Sequence, residues 1–201
     1  KRKSYQASRV SPQASSADDV FYHCKWKGCI MTIYLDMDGV IADFFGGVAK
    51  KFGVDHWKSI QDREIAFATL SNTDFFYNLN IFPETNSIVK FVKEISDGDW
   101  GICSSPMRGD IMNSAYWKRL WLERWDITPP LVENMIFTSN KHKYAMNKLD
   151  RTRNILIDDK LQNIDRWNQA GGIGIRFQCN EDDTNEYLFP AIREALQNAN
   201  R

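Results

Sequence analysis

Two carboxylates two residues apart, Asp36 and Asp38, follow directly on the apolar run Ile33-Tyr34-Leu35. Extended backbone repeats every second residue, so both side chains can point the same way at the end of a buried strand. Gly39 lets the chain turn sharply behind them. Two close carboxylates repel unless a cation or a shared proton relieves them. A hard divalent cation such as Mg²⁺ is the simplest relief, since it prefers oxygen ligands. Three further pieces have the same shape. Trp100-Gly101-Ile102-Cys103 ends in Ser104-Ser105-Pro106, Ile136-Phe137 in Thr138-Ser139-Asn140-Lys141, and Ile155-Leu156-Ile157 in Asp158-Asp159-Lys160. Strand tips of open α/β sheets line the ligand crevice. Together the four tips offer a carboxylate nucleophile, a second carboxylate, a hydroxyl, a lysine and further metal ligands. That set suits phosphoryl transfer.

Strands are expected near 31–36, 100–104, 135–138, 154–158 and 173–177, with helices between them. Ile88, Phe91, Val92 and Ile95 recur at helical spacing after Pro83. A second helix is expected over about 110–125. Its Trp117, Trp121 and Trp125 are four apart and read as a packing stripe against the sheet. Leu161 to Gln169 is helical and ends at Gly171-Gly172. The alternation implies a largely parallel sheet with right-handed crossovers. Residues 45 to about 83 interrupt it with at least one helix, about 61–71, and several aromatics.

The chain has 201 residues, 43% of them hydrophobic, enough for one full core with a small appended cap. Twenty-six basic residues balance 26 acidic ones, so the basic excess of a nucleic-acid binder is missing and no extended nucleic acid is expected as a partner. No apolar run approaches the ~20 residues that span a bilayer. Of the four cysteines, Cys103 falls inside a core strand and reads as a small hydrophobe. Cys24, Cys29 and His23 are too loosely spaced for a zinc site. A reduced, cytoplasmic setting is the expectation. Residues 1 to about 20 lack periodicity and read as a disordered tail. With Met31 directly before the first strand, residues 1–30 are expected to be an extension or upstream translation, and 31–201 the folded domain.

Asp36-Met37-Asp38-Gly39-Val40, the hydroxyl-tipped second run, the lysine and the late acid pair resemble motifs one to four of the haloacid dehalogenase-like hydrolases. Residues Asp36 to Phe44, Ile102 to Pro106, Ile155 to Asp159, and Phe75-Phe76-Tyr77-Asn78-Leu79 before Pro83 are similar to the 5'(3')-deoxyribonucleotidases. The resemblance covers roughly residues 31–178. It implies a Rossmann-like three-layer α/β fold, with a mainly parallel five-stranded sheet and a small helical cap inserted at about 45–83. The short insert implies a reduced cap and an open site.

The resemblance also implies roles. Asp36 attacks phosphorus and forms an aspartyl-phosphate. Asp38 protonates the leaving alkoxide and then deprotonates water. Ser104 holds a phosphoryl oxygen, and Lys141, rather than Lys143, pairs with its charge. Mg²⁺ takes its ligands from the Asp36 carboxylate, the Asp38 backbone carbonyl and one of Asp158 and Asp159. Phe44, Phe75 and Ser105 are candidates to contact substrate. Phe45 and Phe76 are further candidates beside them, and Arg108 and Lys160 could steer phosphate. The related nucleotidases carry Arg where Ser139 stands. The expected substrate is a small phosphate monoester, first of all a pyrimidine deoxynucleoside monophosphate. Another small phosphoester, a nucleic-acid end, or a non-catalytic phosphate-binding module are the alternatives.

Overall fold

The computed structural model describes residues 31–199. The expectations for residues 1–30, including Cys24, Cys29 and His23, lie outside the described residues. In chain order the elements are β1 (Ile33–Leu35), α1 (Phe44–Phe52), α2 (Arg63–Ala68), α3 (Thr85–Ile95), β2 (Trp100–Ser104), α4 (Ile111–Arg124), β3 (Met135–Phe137), β4 (Ile155–Asp158), α5 (Leu161–Gln169), β5 (Ile173–Arg176) and α6 (Phe189–Ala199). The strands form one sheet in the order β3-β2-β1-β4-β5, and every pairing is parallel. The chain leaves β1 toward β2 and β3, then returns past β1 to β4 and β5. The direction therefore reverses between β1 and β4. In an open α/β sheet that reversal opens a crevice at the carboxyl ends of the strands.

Alternation along the strands assigns the two faces. Ile33, Leu35, Trp100, Ile102, Ile155, Ile157 and Ile175 belong to the larger core, with Ile88, Val92, Trp121 and Ile192. Tyr34, Cys103, Leu156 and Ile136 turn the other way and pack on Ile164 and Trp167 of α5. Helices thus cover both faces, which suits strands that are apolar at almost every position. The strands expected from sequence agree with those observed to within two residues at each end.

Between β1 and α3 the chain makes α1, a 3-10 turn at Trp57–Ser59, α2 and a second 3-10 turn at Phe75–Asn78. Asp43 caps α1 by accepting from Gly46 N–H at 2.9 Å, and Asp62 caps α2 through Ile65 N–H at 3.1 Å. The segment leaves and returns at one point. Asp43 N–H donates to the Asn80 carbonyl at 2.9 Å, and Ala42 bridges Ile81 antiparallel.

The tryptophan stripe of α4 is packing, and its polar edges meet this insert as well as the sheet. Trp121 is fully buried, and its indole N–H donates to the Leu79 carbonyl at 2.8 Å. Trp117 lies against the Tyr77 ring, with centroids 5.7 Å apart. Asn113 Nδ2 donates to the Thr73 carbonyl at 3.0 Å, and Arg124 to that of Tyr77 at 3.2 Å. These links fasten α4 to the insert along its length.

Replacing Trp121 by Phe strands the Leu79 carbonyl and is expected to cost about 1–3 kcal/mol. Trp121→Ala adds a cavity, for about 3–5 kcal/mol in total. Urea unfolding of the two variants measures both, and equal losses would show that the packing adds little beyond the hydrogen bond.

Candidate active site

The chemistry-bearing residues converge at the carboxyl ends of the strands. Asp36 follows β1, Ser104 ends β2, Lys141 lies just after β3, and Asp158 ends β4. Asp36 is held between two elements: its N–H donates to the Ile157 carbonyl of β4 at 2.9 Å, and its Oδ1 accepts from Met37 N–H at 2.7 Å. Lys141 is buried, with its ammonium 2.8 Å from Asp36 Oδ2 and 2.6 Å from Asp158 Oδ2. Lys143 is exposed, so Lys141 is the lysine at the carboxylates.

Asp158 is saturated with donors. Besides Lys141, it accepts from Lys160 N–H at 2.9 Å and from Asn163 Nδ2 at 3.0 Å on each oxygen. Among the described residues no hydrogen bond or ion pair reaches the Asp159 carboxylate. One oxygen each of Asp36, Asp158 and Asp159 lies within 4.8 Å of the others, a group able to hold a metal ion. The Asp38 carboxylate stands outside that group. Gly39 makes room for Asp159. Its φ is +79°, and a Cβ there would meet Asp159 Cγ at 3.0 Å.

Sequence reasoning missed Lys118. It sits mid-α4 with its side chain fully buried, on the face that also buries Ser114, Trp121 and Leu122. Its ammonium donates to Asp38 Oδ2 at 2.7 Å, to Ser104 Oγ at 3.0 Å and to the Ser105 carbonyl at 2.9 Å. It also lies 4.8 Å from the centre of the Phe76 ring. A cation on the inward stripe of a helix was the available signal. Asn163 was missed too; as an amide in the first turn after an acid pair it carried little signal.

The other predicted contacts fall as follows. Ser105 is half-buried and its hydroxyl donates to the Thr138 carbonyl at 3.3 Å. Phe44 opens α1 half-buried, stacked on Phe76 at 6.1 Å and 15°, with Phe45, Phe67 and Phe75 edge-on to it. Phe75 is buried in the main core, so its ring backs Phe44. Ser139, Arg108 and Lys160 are exposed.

Burial by itself raises a carboxyl pKa, and neighbouring ammonium groups lower it. At Asp36 burial is outweighed by Lys141 and Lys118, helped by hydrogen bonds from Lys141 and Ser104, and the carboxyl lies below its ordinary value. At Asp38 burial prevails over Lys118, with Asp36 adding repulsion, and the carboxyl lies above it. Asp158 is raised by burial and Asp36 against Lys141. Asp159, with burial and three acids around it and only Lys141 opposing, is pushed up to about 8. Burial pulls the Lys141 ammonium down, but Asp36 and Asp158 more than compensate, so it stays charged.

No family model matches the chain. It is similar to the 5'(3')-deoxyribonucleotidase, mitochondrial, of Mus musculus, 26% identical with 65% of this chain and 64% of that protein covered. It is equally similar to the Homo sapiens protein of the same name, 26% identical, with 66% and 64% covered. The match thus spans just under two thirds of those relatives' length. Among solved structures, a haloacid dehalogenase (HAD) family hydrolase from Deinococcus radiodurans R1, with bound phosphate and sodium, superposes with a TM-score of 0.51. It is 14% identical, with 84% of this chain and 96% of that one covered, a likeness of fold.

Two outcomes follow for stability. Gly39→Ala and Gly53→Ala both force alanine into left-handed backbone, at about 1–2 kcal/mol each, but Gly53 has open space around it. Urea unfolding is expected to show the larger loss for Gly39→Ala, because only there must Asp159 move; equal losses would dismiss the steric part. The second concerns pH. Asp159 in the folded chain keeps its proton up to about 8, against 3.8 ordinarily. The stability this confers is fully present below the unfolded value and is lost as pH rises through the folded one. In EDTA, Asp159→Asn is therefore expected to flatten the fall of melting temperature between pH 5 and pH 8, and an unchanged slope would rule this out.

Proposed function

We propose that this chain, whose fold is that of the haloacid dehalogenase-like hydrolases, is a phosphomonoesterase that works through an aspartyl-phosphate on Asp36. The observation that carries this reading is the division of labour between the two acids at the tip of β1. Asp36 is paired with Lys141 and held anionic, as a nucleophile must be. Asp38 is raised, and its Oδ1 is buried with no hydrogen-bond partner among the described residues. A pair of carboxyls pushed apart in this way separates nucleophile from proton carrier.

In the first step an Asp36 oxygen bonds to phosphorus as the ester P–O bond breaks, and the leaving oxygen takes the Asp38 proton. In the second, Asp38 takes a proton from water, the water oxygen bonds to phosphorus, and the P–O bond to Asp36 breaks. Inorganic phosphate leaves and Asp36 is restored. Ser104 accepts from Lys118, and its own O–H, which faces Asp36, is the donor we assign to a phosphoryl oxygen once Asp36 engages phosphorus. Lys141 faces the same charge as it grows in the transition state.

The site's charge fits a divalent cation. Four carboxyls, Asp36, Asp38, Asp158 and Asp159, face only two buried ammonium groups, Lys118 and Lys141, so a bound cation would take the place of the proton that Asp159 otherwise keeps. All the donors are hard oxygens, which suits Mg²⁺. We assign the Asp36 and Asp159 carboxylates and the Asp38 backbone carbonyl to it, since Asp158 is already saturated. When bound, the ion neutralises phosphate charge and relieves the repulsion between substrate and Asp36.

For substrate we propose a small (deoxy)nucleoside 5'- or 3'-monophosphate, with Phe44 as the surface for the base and residues 45–83 as a reduced cap. The support is half-buried Phe44, stacked on Phe76 beside the site, and the likeness to the two deoxyribonucleotidases. Two buried free thiols, Cys103 and Cys179, suit the reducing, cytoplasmic setting included in this reading.

The test is phosphate release from a panel of nucleoside 5'- and 3'-monophosphates and sugar phosphates, with Mg²⁺ and with EDTA. Wild type is expected to release phosphate only with the metal, and Asp36→Asn to lose at least 10³-fold, the scale of removing an essential nucleophile. Turnover of sugar phosphates alone would remove the nucleotide assignment and keep the chemistry. Mg²⁺-dependent binding without release from any ester would make the chain a phosphate-binding module.

A further inference from the structure

We infer that Lys118 is a positioning residue for the proton-carrying acid: its hydrogen bond to Oδ2 fixes the rotation of the Asp38 carboxyl at the mouth of the turn. The inference rests on the phosphomonoesterase reading and adds to it a residue outside the four strand tips.

An ammonium has three N–H donors. All three of Lys118's are engaged, by Asp38 Oδ2, Ser104 Oγ and the Ser105 carbonyl, and the Phe76 ring covers the remaining side at 4.8 Å. The side chain is fully buried. Lys118 thus has no donor left for a phosphate oxygen unless it gives up one of these partners. Lys141 contrasts with it, touching Asp36 and Asp158 rather than Asp38. Both ammoniums help keep Asp36 charged, but only Lys141 touches it, and only Lys118 touches the proton carrier.

The mounting is rigid. Lys118 projects from the middle of a 14-residue helix. That helix is fastened on either side of it by Asn113 to the Thr73 carbonyl and by Trp121 to the Leu79 carbonyl. A side chain locked by packing on a regular helix holds its partner more closely than a loop residue could. Asp38 follows the strand and lies in the turn, with a quarter of its side chain exposed, so the hydrogen bond from Lys118 is what fixes the rotation of its carboxyl.

Aiming matters only where the proton matters. As an alkyl ester P–O bond breaks, the Asp38 O–H bond breaks with it and the proton passes to the leaving oxygen. A nitrophenolate leaves without it. The experiment measures kcat/KM, which reports the steps through phosphoryl transfer, for thymidine 5'-monophosphate, β-glycerophosphate and p-nitrophenyl phosphate. The enzymes are wild type, Lys118→Met, Lys118→Arg, Asp38→Asn and the Lys118→Met/Asp38→Asn double variant.

Lys118→Met is expected to lose at least tenfold more on the alkyl esters than on p-nitrophenyl phosphate, where only its shared support of Asp36 and Ser104 is lost. Lys118→Arg should show the same selectivity with a smaller loss, and it carries the test should Lys118→Met not fold. The double variant should be no worse than Asp38→Asn alone. Equal losses on all three esters, or additive losses in the double variant, would overturn the inference and make Lys118 a phosphate contact or a structural residue. Wild type inactive on all three esters would remove the phosphomonoesterase reading, and this inference with it.

Discussion

Everything at the carboxyl edge of the sheet depends on how four acids are kept together with only two lysines among them. Acids this close, in surroundings that screen poorly, raise one another's pKa and push apart. Lys141 ties the tip of β1 to the tip of β4, across the point where the sheet reverses direction. Lys118 ties the turn after β1 to the end of β2. Neither ammonium could remain buried without these oxygens, and the acids could not stay so close without the ammoniums. The two lysines are therefore part of how the strand tips are held as well as part of the site.

The helix that carries Lys118 joins the site to the insert. Its outer links reach Thr73, Tyr77 and Leu79, while its ammonium lies against the ring of Phe76. Phe76 in turn stacks on Phe44. A continuous run of packed groups thus leads from the aromatic cluster, through one lysine, to an acid at the strand tip. Displacing Phe44 or Phe76 would disturb that acid through contacts already present in the fold.

The sheet was readable because its strands are short apolar runs that end abruptly in polar residues, a pattern that survives without knowledge of partners. Asp36, Ser104, Lys141 and Asp158 were readable for the same reason, since each stands at the end of such a run. Strand order was not readable, because period-2 burial says nothing about neighbours. Lys118 was hidden by its setting: a lysine in a helix that also carries Arg119, Glu123 and Arg124 looks like one more solvated charge until the fold shows which face turns inward. Phe75 and Phe44 look alike in sequence, and only packing shows that one backs the other. The acid pair could not be divided from sequence either. What separates Asp158 from Asp159 is Asn163 and the Lys160 backbone N–H two residues on, contacts made by the geometry of the loop entering α5.

Because the insert's two ends are clipped together by Asp43 with Asn80 and Ala42 with Ile81, the stretch behaves as an appendage grafted at a single stem. Its length and content can vary without changing the distance the backbone must bridge at the graft point, as loop-closure cost grows only slowly with length. A lineage could exchange the outer part of this appendage and alter which molecules are admitted, so long as a ring in the place of Phe76 still covered the lysine beneath.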